Sequence, residues 1–475
     1  MLDKAVFSLG ATNGRFPCRS SKALILASAG EAWVLSSKPF LKLILVWLTH
    51  LPDKSSYPRK RVRAGSMIIR SAVQCETCDA VVTVRIGMGQ GVRQEHTINC
   101  RECKEPISFG MTVNYAELST HVFALDGCAV VETPKHGTGP VINVDANFFV
   151  PEGTTGVDVT FHRLTQMHDM IKASEKFGPL PTHEFDLSAP RRPAADHLSE
   201  WKQIKKAMSL ASNRRAKLAE RKFNEGSEEY YPDDPLAGPT DWFFRFTLKF
   251  LGRKHGVHFK AILDEFRTIA DTHECNDLMD HYAKTMVETR FQRYREIYTD
   301  FFSKHAQFAQ VSFQAGLGLA PSEDMVATSV QFDLVKSFYG DAYEVFAGSV
   351  DFLAMLNNVK HGRGFGQFEK MTLEKYLQLD NASKFNPFSM NPVFTALCAE
   401  QDNQLRNASH HKGIRIDPDG RILRYRAGKG GTGPEQEMTY ASYLYRSVTL
   451  FLQICVLAAV ELTIFSGSKI KLPFD

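Results

Sequence analysis

Two pairs of cysteines constrain this chain more than any other feature. Cys75-Glu76-Thr77-Cys78 and Cys100-Arg101-Glu102-Cys103 enclose twenty-one residues. Each C-x-x-C segment offers two thiolates to one ion, and the separation suits a β-hairpin that brings two such knuckles together. Segments 81–86 (VVTVRI) and 107–113 (ISFGMTV) read as the strands, with Gly87, Gly89 and Gly91 in a loose turn. Zinc held tetrahedrally by the four cysteines is the expected occupant, structural and closed, with no open position for catalysis. A dithiol redox pair explains one such motif but not two at this separation. His96 lies near the second knuckle and, with four thiolates present, is read as a surface or hairpin residue. Nine Cys in 475 residues do not make a disulfide framework, so a reducing cytoplasm is the expected compartment.

The length implies two to four domains. The composition, 43% hydrophobic and 23% charged, is that of a globular protein, and a net charge of +4 neither demands nor excludes nucleic acid. Residues 1–66 hold scattered apolar stretches at 23–26 and 40–48 and a basic cluster at 59–63. Segment 40–48 is too short to span a bilayer and contains Lys42. The expectation is a poorly ordered extension, with Met67 as the true start of the folded protein. Residues 67–116 form the zinc ribbon, and 117–175 a small β appendage with strands at 121–124, 129–132, 141–144, 148–150 and 157–161. Cys128 sits in an apolar run and reads as a buried thiol.

Residues 176–239 read as a proline-bearing linker followed by a basic helix at 196–224. That helix carries eight Lys or Arg (Lys202, Lys205, Lys206, Arg214, Arg215, Lys217, Arg221 and Lys222) and is either a solvated connector or an electrostatic arm for RNA. Residues 240–320 are helical. Phe291, Tyr294, Tyr298, Phe301 and Phe302, spaced by three and four, belong to a core rather than to a stacking platform. Residues 321–475 read as a helical bundle. Its expected parts are helices at 322–339 and 341–360 separated by Gly340, a short helix at 372–379, a hairpin around Asp417-Pro418-Asp419-Gly420, and an apolar helix at 438–465. The uncharged run between Arg446 and Glu461 is fourteen residues, too short for a membrane span and suited to the centre of a bundle or to a dimer interface. The glycine-rich 428–433 lacks the Gly-Lys-Ser/Thr ending of a phosphate loop and reads as a plain loop. The fold class is α+β, mainly α.

Segment 391–412 (NPVFTALCAEQDNQLRNASHHK) is where fold and chemistry meet. Asn391 caps, Pro392 suits the first helical position, and Gly413 ends the segment. At about 100° per residue, one continuous helix puts Phe394, Leu397, Cys398, Leu405 and Ala408 on one arc. Asn403, Arg406, Asn407, His410 and His411 fall opposite. Arginine offers phosphate a permanent planar fork, and histidine moves protons near neutral pH. Arg and His at a helix C-terminus also satisfy its last carbonyls and dipole, a purely structural role.

Leu405-Arg406-Asn407-Ala408-Ser409-His410-His411 resembles the signature of HEPN-domain ribonucleases: Arg, a polar residue that is often Asn, then His. The resemblance implies an all-α bundle, a homodimer with two motifs facing one cleft, and metal-independent RNA cleavage through 2′-hydroxyl attack. It assigns Arg406 and His411 as the catalytic pair and Asn407 as the polar residue, with His410 able to replace or assist His411. Relatives often act as toxins or phage-defence effectors, which implies an antitoxin or other regulatory partner; no membrane partner is expected, because both apolar runs are too short to span. The competing expectation is a non-catalytic zinc-ribbon protein that binds nucleic acid or protein through a helical dimerisation bundle.

Overall fold

Each cysteine knuckle turns one strand back on itself. In the computed structural model, β1 (Ile68–Cys75) passes through the first knuckle into β2 (Val81–Gly87), and β3 (Arg93–Asn99) passes through the second into β4 (Pro106–Asn114). The structure describes residues 68–87, 93–114, 119–133, 140–145, 147–151, 162–178, 197–328, 331–410, 413–418, 420–428, 431–468, 470 and 472–474. The extension 1–66 with its Met67 start, the 157–161 strand, most of the linker and His411 lie outside the described residues.

The two hairpins belong to different sheets. β5 (Ser119–Asp126) joins β3 and β4, whereas β6 (Cys128–Val131) and β7 (Val141–Asp145) flank β1 and β2 in the order β6-β1-β2-β7. All pairings are antiparallel except β2 with β7. Residues expected to form an appendage on the ribbon therefore complete the ribbon's own sheets. The reason is edge protection: a bare two-hairpin ribbon leaves strand edges open, and β5, β6 and β7 cover those of β4, β1 and β2. One core fills the gap, with Val73, Val82, Val84 and Ile86 from one side and Ile98, Ile107, Phe109 and Met111 from the other. Gly127, at φ 65, carries the chain between sheets, where a Cβ would meet the Pro106 carbonyl oxygen at 2.8 Å. His96 is buried here rather than exposed, its ring 5.7 Å from that of Phe109, and burial pulls its pKa down to about 4.

The rest is mainly helical. β8 (Val150–Pro151) and α1 (His162–Ser174) lead to α2 (His197–Ser212), α3 (Ala216–Tyr230), α4 (Pro239–Leu248), α5 (Arg253–Arg267), α6 (His273–Thr285), α7 (Val287–Ser303) and α8 (His305–Gly316). The single basic helix expected at 196–224 is two, α2 and α3, turned at Arg214 with φ 58. β9 (Met325–Val326) pairs with β8, and α9 (Phe332–Ser349) and α10 (Asp351–Lys360) follow. The expected break at Gly340 does not occur, because that glycine sits inside α9. Then come α11 (Leu373–Leu377), α12 (Pro392–Leu397), α13 (Asn403–His410), β10 (Ile414–Ile416), β11 (Ile422–Arg426), β12 (Glu435–Thr439) and α14 (Tyr440–Gly467).

α14 is the bundle's axis, sheathed by α4, α5, α8 and α9. By length and composition it suits a membrane span, yet 94% of its most apolar window is buried in protein. Phe291, Tyr294, Tyr298, Phe301 and Phe302 pack around it as core. Its one buried carboxylate, Glu461, accepts a hydrogen bond from the Tyr282 hydroxyl at 2.6 Å and lies 3.4 Å from the Arg290 guanidinium. Arg290 also pairs with Asp351, so one buried cation ties α7 to both α10 and α14.

Candidate functional site

The cysteine knuckles are two copies of one geometry. Asp79 N–H bonds the Cys75 carbonyl and Lys104 N–H the Cys100 carbonyl, both at 3.0 Å. Cys75 N–H bonds Ala80 O at 2.9 Å and Cys100 N–H bonds Glu105 O at 2.8 Å. Asp79 (φ 59) and Lys104 (φ 66) take the left-handed conformation that turns the chain out of each knuckle. The four ligand sulfurs lie within 4.8 Å of one another, with Cys75–Cys103 and Cys78–Cys100 each at 3.6 Å. A tetrahedral site with metal–sulfur bonds of about 2.3 Å needs sulfur–sulfur edges of about 3.8 Å. The donor set therefore fits a metal ion such as zinc. Burial raises the Cys75 thiol, but the Thr77 and Cys78 N–H groups outweigh it and bring the pKa down to about 7, whereas its neighbours hold the Cys78 thiol up and push Cys103 up to about 12, so one thiol of the metal-free cluster is drawn towards the thiolate. Cys128 is buried beside this centre, and its thiol donates to the Ser108 carbonyl at 3.1 Å.

The second candidate is built on α12 and α13. Asn391 caps α12, its Oδ1 accepting from Val393 N–H at 3.0 Å and Phe394 N–H at 3.2 Å. The expected continuous helix then breaks. Asp402 Oδ1 accepts Leu405 N–H at 2.9 Å and starts α13 as a new helix. From α14, Arg446 holds the break open, with Nε on Glu400 at 2.7 Å and a terminal nitrogen on Asp402 at 2.9 Å. The apolar stripe survives the break, since Phe394, Leu397, Cys398, Leu405 and Ala408 are all buried. Ser409 anchors α13 to α14 through the Tyr443 hydroxyl at 2.8 Å.

Arg406 is half-buried rather than open to solvent. One terminal nitrogen bonds Asn407 Oδ1 at 2.7 Å, and the other pairs with Glu344 of α9. The second Glu344 oxygen accepts from Asn381 Nδ2 at 2.6 Å. Arg406, Asn403, Gln404 and Asn407 line an open pocket of ≈ 780 Å³ with Asp380, Asn381 and Gly428. Gly428 N–H bonds Gln404 Oε1 at 2.7 Å, so the glycine-rich loop forms one wall. Hydrogen bonds from the Ser383 hydroxyl and N–H lower the pKa of Asp380, which stays charged. His410 is exposed and rests against Gly340, where a Cβ would come 2.6 Å from the ring. Arg406 and His410 thus both address α9, one turn apart.

Glu344, Asn381 and Asp380 were not singled out from the sequence. Nothing local marks Glu344 or Asn381. The Asp380-Asn381-Ala382-Ser383 run is a recognisable side-chain-to-backbone turn. No protein-family model, curated protein or solved structure matches this chain.

Proposed function

We propose that the chain is a metal-independent endoribonuclease of the HEPN type working at the polar face of α13. The supporting observation is that Arg406, Asn403, Gln404 and Asn407 line one open pocket while the opposite face of the same helix is buried. Arg406 binds the scissile phosphate. His411, with His410 assisting or replacing it, removes the 2′-hydroxyl proton or protonates the departing 5′-oxygen. The 2′-oxygen attacks phosphorus, the bond to the 5′-oxygen breaks, and the products are a 2′,3′-cyclic phosphate and a 5′-hydroxyl. A single pocket is short of positive charge, because Glu344 already balances Arg406 and Asp380 adds a second carboxylate. A homodimer placing two α13 helices across one cleft supplies both the missing cation and a second histidine. The four-cysteine zinc centre has a structural part in this reading.

Incubation of the metal-loaded protein with total RNA, in buffer with neither magnesium nor chelator, tests it. The expected result is cleavage to cyclic-phosphate ends, reduced at least about a hundredfold in Arg406→Ala and in His411→Ala. Growth arrest on expression, relieved in the same variants, is the outcome expected of a toxin or phage-defence effector. The Arg406–Glu344 pair favours a second reading, a zinc-ribbon binding protein in which Arg406 is a strut between α13 and α9. Wild-type protein that leaves RNA intact, with Arg406→Ala lowering only the melting temperature, selects that reading.

A further inference from the structure

The α2–α3 hairpin has a strongly one-sided charge. From Lys202 to Ala219 it carries Lys202, Lys205, Lys206, Arg214, Arg215 and Lys217 and no Asp or Glu, in a chain whose net charge is only +4. Its apolar side is already used: Trp201, Ile204, Ala207 and Met208 of α2 and Ala219 of α3 are buried in the bundle. The basic residues are left on the outside, with Lys202, Lys206, Arg214, Arg215 and Lys217 exposed. None of the six forms an ion pair among the described residues, although Lys206 is close enough to Glu225 to help lower its pKa; Arg221 and Lys222 further along α3 both pair with Glu225. The turn itself puts Arg214 at φ 58, a conformation that glycine or asparagine adopts more cheaply, with Arg214 N–H on the Ala211 carbonyl and Arg215 N–H on the Leu210 carbonyl, both at 2.9 Å.

We propose that the tip of this hairpin is a phosphate-binding surface that seats single-stranded RNA. Exposed, unpaired guanidinium and ammonium groups gather phosphates by releasing condensed counter-ions, and two antiparallel helices give them a ridge along which a backbone can run. A membrane surface fits less well. An interfacial helix needs a free apolar face to insert, and here that face is spent on the core, leaving Leu218 as the exposed large aliphatic side chain of the tip. Phosphate binding stands on the charge geometry alone. Naming RNA rests on the nuclease reading, to which the hairpin adds a place where substrate is held away from the pocket.

The test is fluorescence anisotropy of the metal-loaded full chain with a labelled 20-nucleotide 2′-O-methyl RNA, which the proposed chemistry cannot cut, across a KCl series without chelator. The variant Arg214→Gln/Arg215→Gln/Lys217→Gln removes three exposed charges, and its melting temperature is checked against wild type. Affinity is expected to fall at least tenfold at 100 mM salt. The slope of log affinity against log salt is expected to flatten by about 2, near 0.7 per lost phosphate contact. Equal affinity and equal slope in wild type and variant overturn the proposal. So does binding to phosphatidylserine vesicles, lost in the variant, without binding to the oligonucleotide. Tight, variant-sensitive binding of this oligonucleotide by a protein that leaves the unmodified RNA of the same sequence intact keeps this surface standing and removes the nuclease reading alone.

Discussion

Gly340 sets the distance between α9 and the end of α13. Inside a helix, glycine is destabilising by about 1 kcal/mol relative to alanine, so Gly340→Ala would stabilise α9 if the space were free. It is not free, since the new Cβ lies 2.6 Å from the His410 ring. The ring ends an exposed side chain and can swing aside, so Gly340→Ala is expected to raise the melting temperature less than the same change in a His410→Ala background does. The double-mutant cycle should show a coupling of about 1 kcal/mol. Additivity within error would mean that the ring does not rest there. Arg406 teaches a related lesson. Its residue type and helical face were legible from the sequence, but its partner was not, because Glu344 lies on α9 and no local pattern links the two.

Among the elements, α14 shows why hydropathy alone misplaces a helix. Tyr440–Gly467 passes a length-and-composition test for a span, yet it carries Glu461 in its buried face, held by Tyr282 and Arg290. Burial raises the Glu461 pKa from 4.5 to about 7, against the opposing pull of Arg290. Between those two values the folded chain keeps a proton that the unfolded chain has shed, so rising pH favours unfolding until the folded group also ionises. Wild type should lose stability relative to Glu461→Gln as pH climbs from 5 to 8, by on the order of 2–3 kcal/mol. Parallel urea melts of the two proteins at pH 5 and pH 8 measure it, and a constant difference across that range would refute the linkage. The sequence showed the apolar run and the buried stripe of α12 and α13, because burial leaves a periodic trace in residue type. It did not show the break at Asp402 or the unbroken α9 through Gly340. The break depends on Arg446 reaching back from α14, and α9 runs on because Gly340 is packed within the bundle, both matters of contact between distant segments.

For the whole molecule, the four-cysteine cluster and the pocket share a line of contacts. Asn99, the residue before Cys100, donates through Nδ2 to the Pro418 carbonyl in the turn between β10 and β11. That turn closes tightly on it, because a Cβ on Gly420 would stand 3.3 Å from the same nitrogen. β11 leads directly into the loop whose Gly428 bonds Gln404 on the pocket wall. Structural zinc supplies about 10 kcal/mol or more to a small domain, comparable with the whole stability of such a domain. With zinc as the ion the four cysteines hold, stripping it should therefore unfold the β1–β7 sandwich while the bundle, whose core is separate, stays folded. Chelation at neutral pH is expected to release one zinc per chain, to abolish amide-exchange protection in strands β1–β7, and to speed exchange in β10 and β11 (414–416 and 422–426) without shifting the main helical melt. Asn99→Ala, with metal retained, should speed exchange in β10 and β11 alone. If chelation left β10 and β11 protected, the sandwich would be an independent appendix, and metal loading would have no bearing on the pocket. If the helical melt collapsed with it, the two cores would be one cooperative unit, and the four-cysteine centre would carry the stability of the whole chain.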